Sequence, residues 1–108
     1  MDVTKKTEGE YAVIALDGEI DLHCSPQVRD EILGELNQDK PVLVDLFAVS
    51  YIDSSGIASL VEGFQLAKSK NLDFALVAVS DAVMQVLQLA RLDKVFPIHP
   101  TAQDAANA

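Results

Sequence analysis

Short apolar runs and helically spaced apolar residues take turns along the chain, and this pattern predicts an α/β fold. The predicted strands are residues 11–16, 42–46 and 74–79. The predicted helices are residues 25–36, 57–67 and 81–91. Strands that alternate with helices pair in parallel. We therefore expect a small mixed, mostly parallel sheet with helices packed on one face.

Turn residues mark several boundaries between these elements. Asp17-Gly18 predicts a turn that closes the strand at 11–16, and Ser25-Pro26 predicts an N-cap followed by the first helical residue. Residues 47–51 are expected to connect a strand to the next helix. Weaker signals predict an edge strand at 3–7, a short strand at 95–98 and a fraying helical end at 101–108.

Length and composition predict one soluble domain spanning residues 1–108. A chain of 108 residues with 49% hydrophobic residues has enough apolar surface to form a core. The single cysteine, Cys24, excludes an internal disulfide and fits a reducing compartment. Neither a signal peptide nor a transmembrane run is present, so we expect a cytoplasmic protein, and a monomer.

Charge narrows the range of partners. Eight basic and 17 acidic residues give a formal net charge of −9. Nucleic acids and anionic membranes attract basic surfaces, so direct binding to either is not expected. The charge fits a basic protein partner or serves solubility alone.

The tetrapeptide Asp53-Ser54-Ser55-Gly56, between a predicted strand and a predicted helix, is the main candidate for chemistry. A hydroxyl at a helix N-terminus can receive a phosphate, because the backbone amides and the dipole there favour negative charge. The Asp53 carboxylate could orient the Ser54 hydroxyl or accept its proton. The alternative is an ordinary N-cap formed by Asp or Ser.

Two further residues belong to this candidate site. Gly56 is unfavourable in a first helical turn, so it serves either the close approach of a partner or phosphate, or packing against a neighbouring loop. Asp21 ends a strand-like region, and ligands of parallel sheets gather beyond the C-terminal strand ends. Asp21 and Asp53 are therefore expected to converge, unless Asp21 is a solvated turn residue.

Other chemistries have weak support. His23 and Cys24 are adjacent, which suits no tetrahedral metal site, and no metal or other cofactor is expected. Cys24 has no activating base in the sequence. A serine hydrolase would need glycine two residues before Ser54 and a base such as His99, but Ile52 occupies that position. Nucleotide-binding glycine motifs are missing, and the protein is not expected to be an enzyme.

The motifs together resemble those of STAS domains, as found in bacterial anti-sigma factor antagonists. The matching segments are Gly18-Glu19-Ile20-Asp21, Val44-Asp45-Leu46 and Ile52-Asp53-Ser54-Ser55-Gly56-Ile57. The likeness extends over residues 74–79 and 81–91, and so covers nearly the whole chain. Small residues, Ala58 and Ser59, follow Ile57 where the family often has glycine.

The resemblance implies a partner-switching regulator of transcription. The unphosphorylated antagonist would bind an anti-sigma factor that is a serine kinase, and phosphorylation of Ser54 would release it. A separate serine phosphatase would restore the binding form. Asp21, Asp53, Ser55 and Gly56 would form the phosphoacceptor environment and the partner-binding surface. The alternative is a STAS accessory subunit of an ABC-type lipid transport complex, which would not be phosphorylated.

Overall fold

The computed structural model describes all 108 residues as five strands and four helices. The strands are β1 (Asp2–Glu8), β2 (Tyr11–Ile20), β3 (Val42–Ile52), β4 (Phe74–Val77) and β5 (Ile98–His99). The helices are α1 (Ser25–Asn37), α2 (Ser54–Ser69), α3 (Asp81–Leu89) and α4 (Ala102–Ala106). The three helices and three main strands predicted from the apolar pattern are all present.

The strands form one sheet in the order β1-β2-β3-β4-β5. β1 pairs with β2 antiparallel, and the other three pairings are parallel. The expected mixed, mostly parallel sheet is therefore confirmed. All the parallel strands end at the same edge of the sheet, where α1, α2 and α3 begin.

The main core lies between the sheet and α1, α2 and α3. It contains Ile14, Val44 and Leu76 from the strands, and Ile32 and Leu60 from the helices. A smaller cluster covers the opposite face, where Ala105 of α4 packs with Val13, Leu43, Ala75 and Val77. Three helices thus occupy one face, as expected, and the short α4 adds partial cover to the other. β4 is buried on both faces because it lies under both clusters.

β2 and β3 are longer than their sequence patterns predict. The predicted turn at Asp17-Gly18 is wrong, because β2 continues through it to Ile20, with Gly18 at φ +107°. Residues 47–51 belong to β3 rather than to a connection. Two register shifts give β3 one extra residue each against β2. These bulges interrupt the alternation of buried and exposed residues, which is why the sequence pattern ends too early.

β3 also extends past the end of β4, which pairs only with residues 42–45. Two side chains form hydrogen bonds with the backbone of residues 46–52, the part of β3 that β4 does not pair with. The Asp45 carboxylate accepts the Phe47 amide at 3.0 Å, and the Ser80 hydroxyl donates to the Val49 carbonyl at 2.7 Å. Side-chain partners of this kind leave fewer free groups for another strand to pair with.

Three other boundaries differ slightly from expectation. The N-cap of α1 is Cys24, and Ser25 is the buried first residue of the helix, so the predicted cap is wrong by one position. β4 ends at Val77, before Ala78 at φ +51°. The last strand is residues 98–99 rather than 95–98, because Phe96 turns into the main core.

Candidate functional site

The parallel pairing of β2 and β3 brings the two predicted aspartates to the same edge of the sheet. Ile20 is paired with Ile52, so Asp21 and Asp53 directly follow neighbouring strand ends. The Asp53 amide donates a hydrogen bond to the Ile20 carbonyl at 3.1 Å, which links the segments that follow the two strands. This register places both aspartates at the same edge of the sheet, as expected from the sequence.

Asp53 is the N-cap of α2. Its carboxylate oxygen accepts the backbone amides of Ser55 at 2.9 Å and Gly56 at 3.2 Å, and the Ser55 hydroxyl at 2.6 Å. Its backbone is extended (φ −103°, ψ −174°), as is usual for an N-cap residue. The carboxylate therefore satisfies two helix-terminal amides that would otherwise lack a partner within the helix.

These hydrogen bonds change the acidity of Asp53. The bond from the Ser55 hydroxyl lowers the pKa of the Asp53 carboxyl, and partial burial opposes it. The amides of Gly56, Ser55 and Leu22 lower the pKa further. The net pKa is below the ordinary value, so Asp53 is ionised at neutral pH.

The two serines of the motif have different environments. Ser54, the first residue of α2, is exposed, and its hydroxyl makes no hydrogen bond within the protein. Ser55 is half-buried, and its hydroxyl is held by Asp53. The expectation that Asp53 orients the Ser54 hydroxyl is therefore wrong, because an N-cap side chain turns toward the second and third helical residues. The structure leaves Ser54 as the accessible hydroxyl.

Gly56 is buried beneath the motif. A Cβ atom at this position would lie 2.6 Å from Cγ1 of Ile52 and 2.7 Å from Cγ2 of Ile20. Both isoleucines are core residues at the ends of β3 and β2. The glycine thus allows the first turn of α2 to approach the two strand ends. This supports a packing role for Gly56, although its neighbours are strand residues rather than the loop that the sequence suggested.

Asp21 organises the turn that follows β2. Its carboxylate accepts the His23 amide at 3.0 Å, and its carbonyl accepts the amides of Cys24 and Ser25. The Cys24 thiol accepts a hydrogen bond from the Asp21 amide at 3.3 Å and donates one to the Glu19 carbonyl at 3.2 Å. These bonds give Asp21 and Cys24 defined roles in holding the turn beside α2.

Leu22, within this turn, was not singled out by sequence reasoning. It is 71% exposed, and its amide is close enough to the Asp53 carboxylate to lower the pKa of that group. Ala58, one helical turn after Ser54, is also exposed. A leucine within an otherwise polar connection is the only sequence signal that could have drawn attention to this position.

The residues of the hydrolase alternative are not assembled. His99 is in β5, and β4 lies between that strand and β3, which precedes Ser54. Neighbouring strands are about 4.8 Å apart, so His99 starts about two strand spacings away. No group of three or more His, Cys, Asp or Glu side chains is arranged to hold a metal ion. None of the helices has the length and apolar character needed to cross a bilayer.

The first prediction concerns the cap. Replacing Asp53 with alanine leaves two amides and the Ser55 hydroxyl without their acceptor, and should lower the melting temperature by about 5 °C. Asp53→Asn is the matched control, because asparagine also accepts these amides and should retain most of the stability. Equal melting temperatures for Asp53→Ala and the unmodified protein would contradict the cap assignment.

The same variants have an expected pH dependence. The pKa of Asp53 is lower in the folded than in the unfolded protein, where it is about 3.9. The stabilisation by the carboxylate is therefore complete above about pH 4 and is lost as the pH falls through the folded pKa. Thermal unfolding of Asp53→Ala and the unmodified protein should show a difference that shrinks in this acid range. A difference that stays constant would show that ionisation is not involved.

The fold and site define a small α/β domain that exposes a serine at a helix start, beside two strand-terminal aspartates. A family model described as the STAS domain matches residues 2–105, so the chain belongs to the STAS domain family. The family resemblance noted from the motifs is confirmed.

Relatives of this chain include named regulators. The anti-sigma F factor antagonist of Paenibacillus polymyxa is 28% identical over 96 residues, covering 86% of this chain and 81% of that protein. An anti-sigma factor antagonist from Mycobacterium paratuberculosis has a crystal structure with a TM-score of 0.84 and 27% identity, covering 98% of this chain and 91% of that one. The phosphorylated form of SpoIIAA, a Bacillus cell fate determinant, shares the fold, with a TM-score of 0.76, 22% identity, and 98% and 97% coverage.

Proposed function

We propose that this protein is an anti-sigma factor antagonist that switches partners through the phosphorylation of Ser54. In the unphosphorylated form it binds an anti-sigma factor that is also a serine kinase, and so frees a sigma factor. Phosphorylation of Ser54 releases it, and a serine phosphatase restores the binding form. Transcription is then regulated through protein contacts, without contact between this chain and nucleic acid.

The observation that carries the proposal is the difference between the two serines. Ser54 is exposed with a free hydroxyl, whereas the Ser55 hydroxyl is bound by Asp53 at 2.6 Å. An acceptor for phosphoryl transfer must reach the γ-phosphate of ATP in line with the leaving group. The exposed Ser54 hydroxyl can be approached without local unfolding, whereas phosphorylation of Ser55 would break its hydrogen bond to the Asp53 cap.

The reaction itself needs only the hydroxyl from this chain. The Ser54 oxygen forms a bond to the γ-phosphorus of ATP, the bond to the ADP oxygen breaks, and the hydroxyl proton leaves to a base. Asp53 is occupied with Ser55 and Gly56, so we assign the base to the kinase. Asp53 then acts as a positioning residue that fixes the first turn of α2.

A phosphate on Ser54 would remain on the surface. The Ser55 and Gly56 amides, which would otherwise attract it, are already bonded to Asp53. The phosphate adds about −1.5 to −2 charges beside an ionised carboxylate. The fold should change little, whereas a partner that closes over Ser54 would have to bury an unpaired charge. The switch therefore acts on the partner's contact surface.

Intact mass tests the site assignment. After incubation with ATP and the anti-sigma factor kinase of the same organism, the protein should gain the mass of one phosphate. Ser54→Ala should gain none, and Ser55→Ala, the matched control, should still gain one. Phosphate on Ser54→Ala would contradict the choice of serine. If instead the protein forms a stable complex that neither substitution affects, and gains no phosphate, the result would favour a STAS accessory subunit of a lipid transport complex.

A further inference from the structure

The sheet face that α4 covers is covered only in part. The sheet residues packed with α4 are Val13, Leu43, Ala75 and Val77. Phe47 lies further along β3, beyond this cover, and is 76% exposed, although phenylalanine is normally among the buried residues. Its backbone is fixed, because the Asp45 carboxylate accepts the Phe47 amide at 3.0 Å. An aromatic ring is therefore held in place on an open part of the sheet.

Phe47 borders two grooves, and the larger one is apolar. This apolar groove has a volume of about 410 Å³ and lies beyond the end of β4, where β3 continues without a neighbour on that side. Its other lining residues are Ala78, Val79, Met84, Ile98, His99 and Pro100. The apolar groove can therefore hold a branched or aromatic side chain next to the Phe47 ring.

The second groove, on the other side of Phe47, is acidic. It has a volume of about 190 Å³, and its lining includes the carboxylates of Asp17 and Asp45. Asp2 is paired with Asp17 across β1 and β2, which adds a third carboxylate on the same face. None of the three takes part in an ion pair. Neither groove is lined by a lysine or an arginine, so the acidic groove lacks a cation.

We propose that the surface around Phe47 binds a basic, amphipathic segment of a partner protein in an extended conformation. An apolar side chain of the segment fills the apolar groove, and a lysine or arginine lies over the Phe47 ring beside Asp17 and Asp45. Charge complementarity selects this occupant. A second copy of this chain docked face to face would bring the carboxylates together, and an anionic membrane or nucleic acid would be repelled.

The separation of the two grooves indicates a protein segment rather than a small cation. Asp17 is on β2 and Ile98 is on β5, and these strands are three strand spacings apart. Three spacings are about 14 Å, a distance that an extended chain covers in about four residues. Side chains four residues apart in an extended chain point to the same side. A basic and an apolar residue at this spacing would reach both grooves at once.

A peptide of defined sequence tests the surface. The probe is a capped nine-residue peptide with a central leucine, an arginine at each end and threonines between them, which favour an extended chain. Its titration into isotope-labelled protein should shift amide resonances of the strands around Phe47 in a saturable way. The same peptide with glutamates for the arginines, or serine for the leucine, should bind much more weakly. If the arginine peptide gives no saturable shifts up to about 1 mM, or shifts centred on other elements, the proposal is wrong.

Matched substitutions assign the contact to its groups. Phe47→Ala should weaken binding of the probe by about tenfold, whereas Leu89→Ala, at an 86% exposed leucine on α3, should leave it unchanged. Asp45→Asn keeps an acceptor for the Phe47 amide but removes the charge, and should weaken binding most at low salt. Glu10→Gln removes one charge at the turn between β1 and β2 and should have little effect. Equal effects of Asp45→Asn and Glu10→Gln would show attraction by net charge alone and would overturn the proposal.

This contact does not rest on the proposed function. Ser54 begins α2, which packs on the other face of the sheet. Ser54→Glu should therefore bind the probe as the unmodified protein does, and a large change in its affinity would contradict a separate surface. Failure of the probe to bind would leave the phosphorylation of Ser54 to be decided by intact mass.

Discussion

Ser54→Glu is expected to weaken binding of the anti-sigma factor kinase by about a hundredfold. The substituted carboxylate would lie exposed beside the ionised Asp53, with the nearby helix-terminal amides already occupied. A partner that covers this position must desolvate the new charge, at a cost of about 3–5 kcal/mol when no cation pairs with it. Since about 1.4 kcal/mol is a tenfold change, a loss of roughly 100-fold remains even if solvent screens part of the charge. Titration calorimetry with the purified kinase would measure it.

Two variants separate the charge from other effects. Ser54→Ala should bind as the unmodified protein does, because the Ser54 hydroxyl has no partner within the fold to lose. Ser69→Glu places the same charge at the other end of α2, about 22 Å away at a rise of 1.5 Å per residue, and should leave binding nearly unchanged. Equal affinity of Ser54→Glu and the unmodified protein would refute the switch at this residue.

Gly56→Ala is expected to lower the free energy of unfolding by about 1–3 kcal/mol. The new methyl group would meet the Ile52 and Ile20 side chains at 2.6 and 2.7 Å, well inside normal contact distance. Both isoleucines are β-branched and buried, so they can move away only by displacing the strand ends or the start of α2. Chemical denaturation would give the change in stability, and altered phosphorylation of Ser54 should accompany it.

Gly34→Ala is the matched control for this substitution. Gly34 also lies within a helix, but an added Cβ there would have no atom within 4 Å. Replacing an exposed helical glycine by alanine stabilises a helix by about 0.5–1 kcal/mol. The same change of residue should therefore have opposite effects at the two positions. If Gly56→Ala were also stabilising, the packing of α2 on the strand ends would be wrong.

The predictable part of the fold is the part encoded by local periodicity. The run Phe74–Val77 and the apolar spacing along α2 each occur within one segment, so a window of the sequence is enough to assign them. The far half of β3 could not be assigned this way. Leu46, Val49 and Ile52 all face the core but are three residues apart, because bulges formed against β2 insert the extra residues. A bulge depends on two strands together, and a pattern within one strand does not show it.

The candidate site was likewise predictable only in part from the sequence. The order of Asp, Ser, Ser and Gly after a strand points to a helix start with a spare hydroxyl, whatever the rest of the fold. Which serine has the free hydroxyl depends on where the helix starts. The sequence pattern placed the helix start at Ile57 instead of Ser54. With Asp53 as N-cap, its carboxylate reaches Ser55 and Gly56 and leaves Ser54 free.

The sequence by itself therefore determined the α/β class, the family and the motif that bears Ser54, because periodicity and motif order are properties of neighbouring residues. Only the tertiary structure decided that Asp53 holds Ser55, that Gly56 fits between Ile20 and Ile52, and that Leu22 is exposed. The close approach of Gly56 to Ile20 and Ile52 requires β2 and β3 to be paired in one register. That register joins residues 30 to 32 positions apart, so no local pattern specifies it.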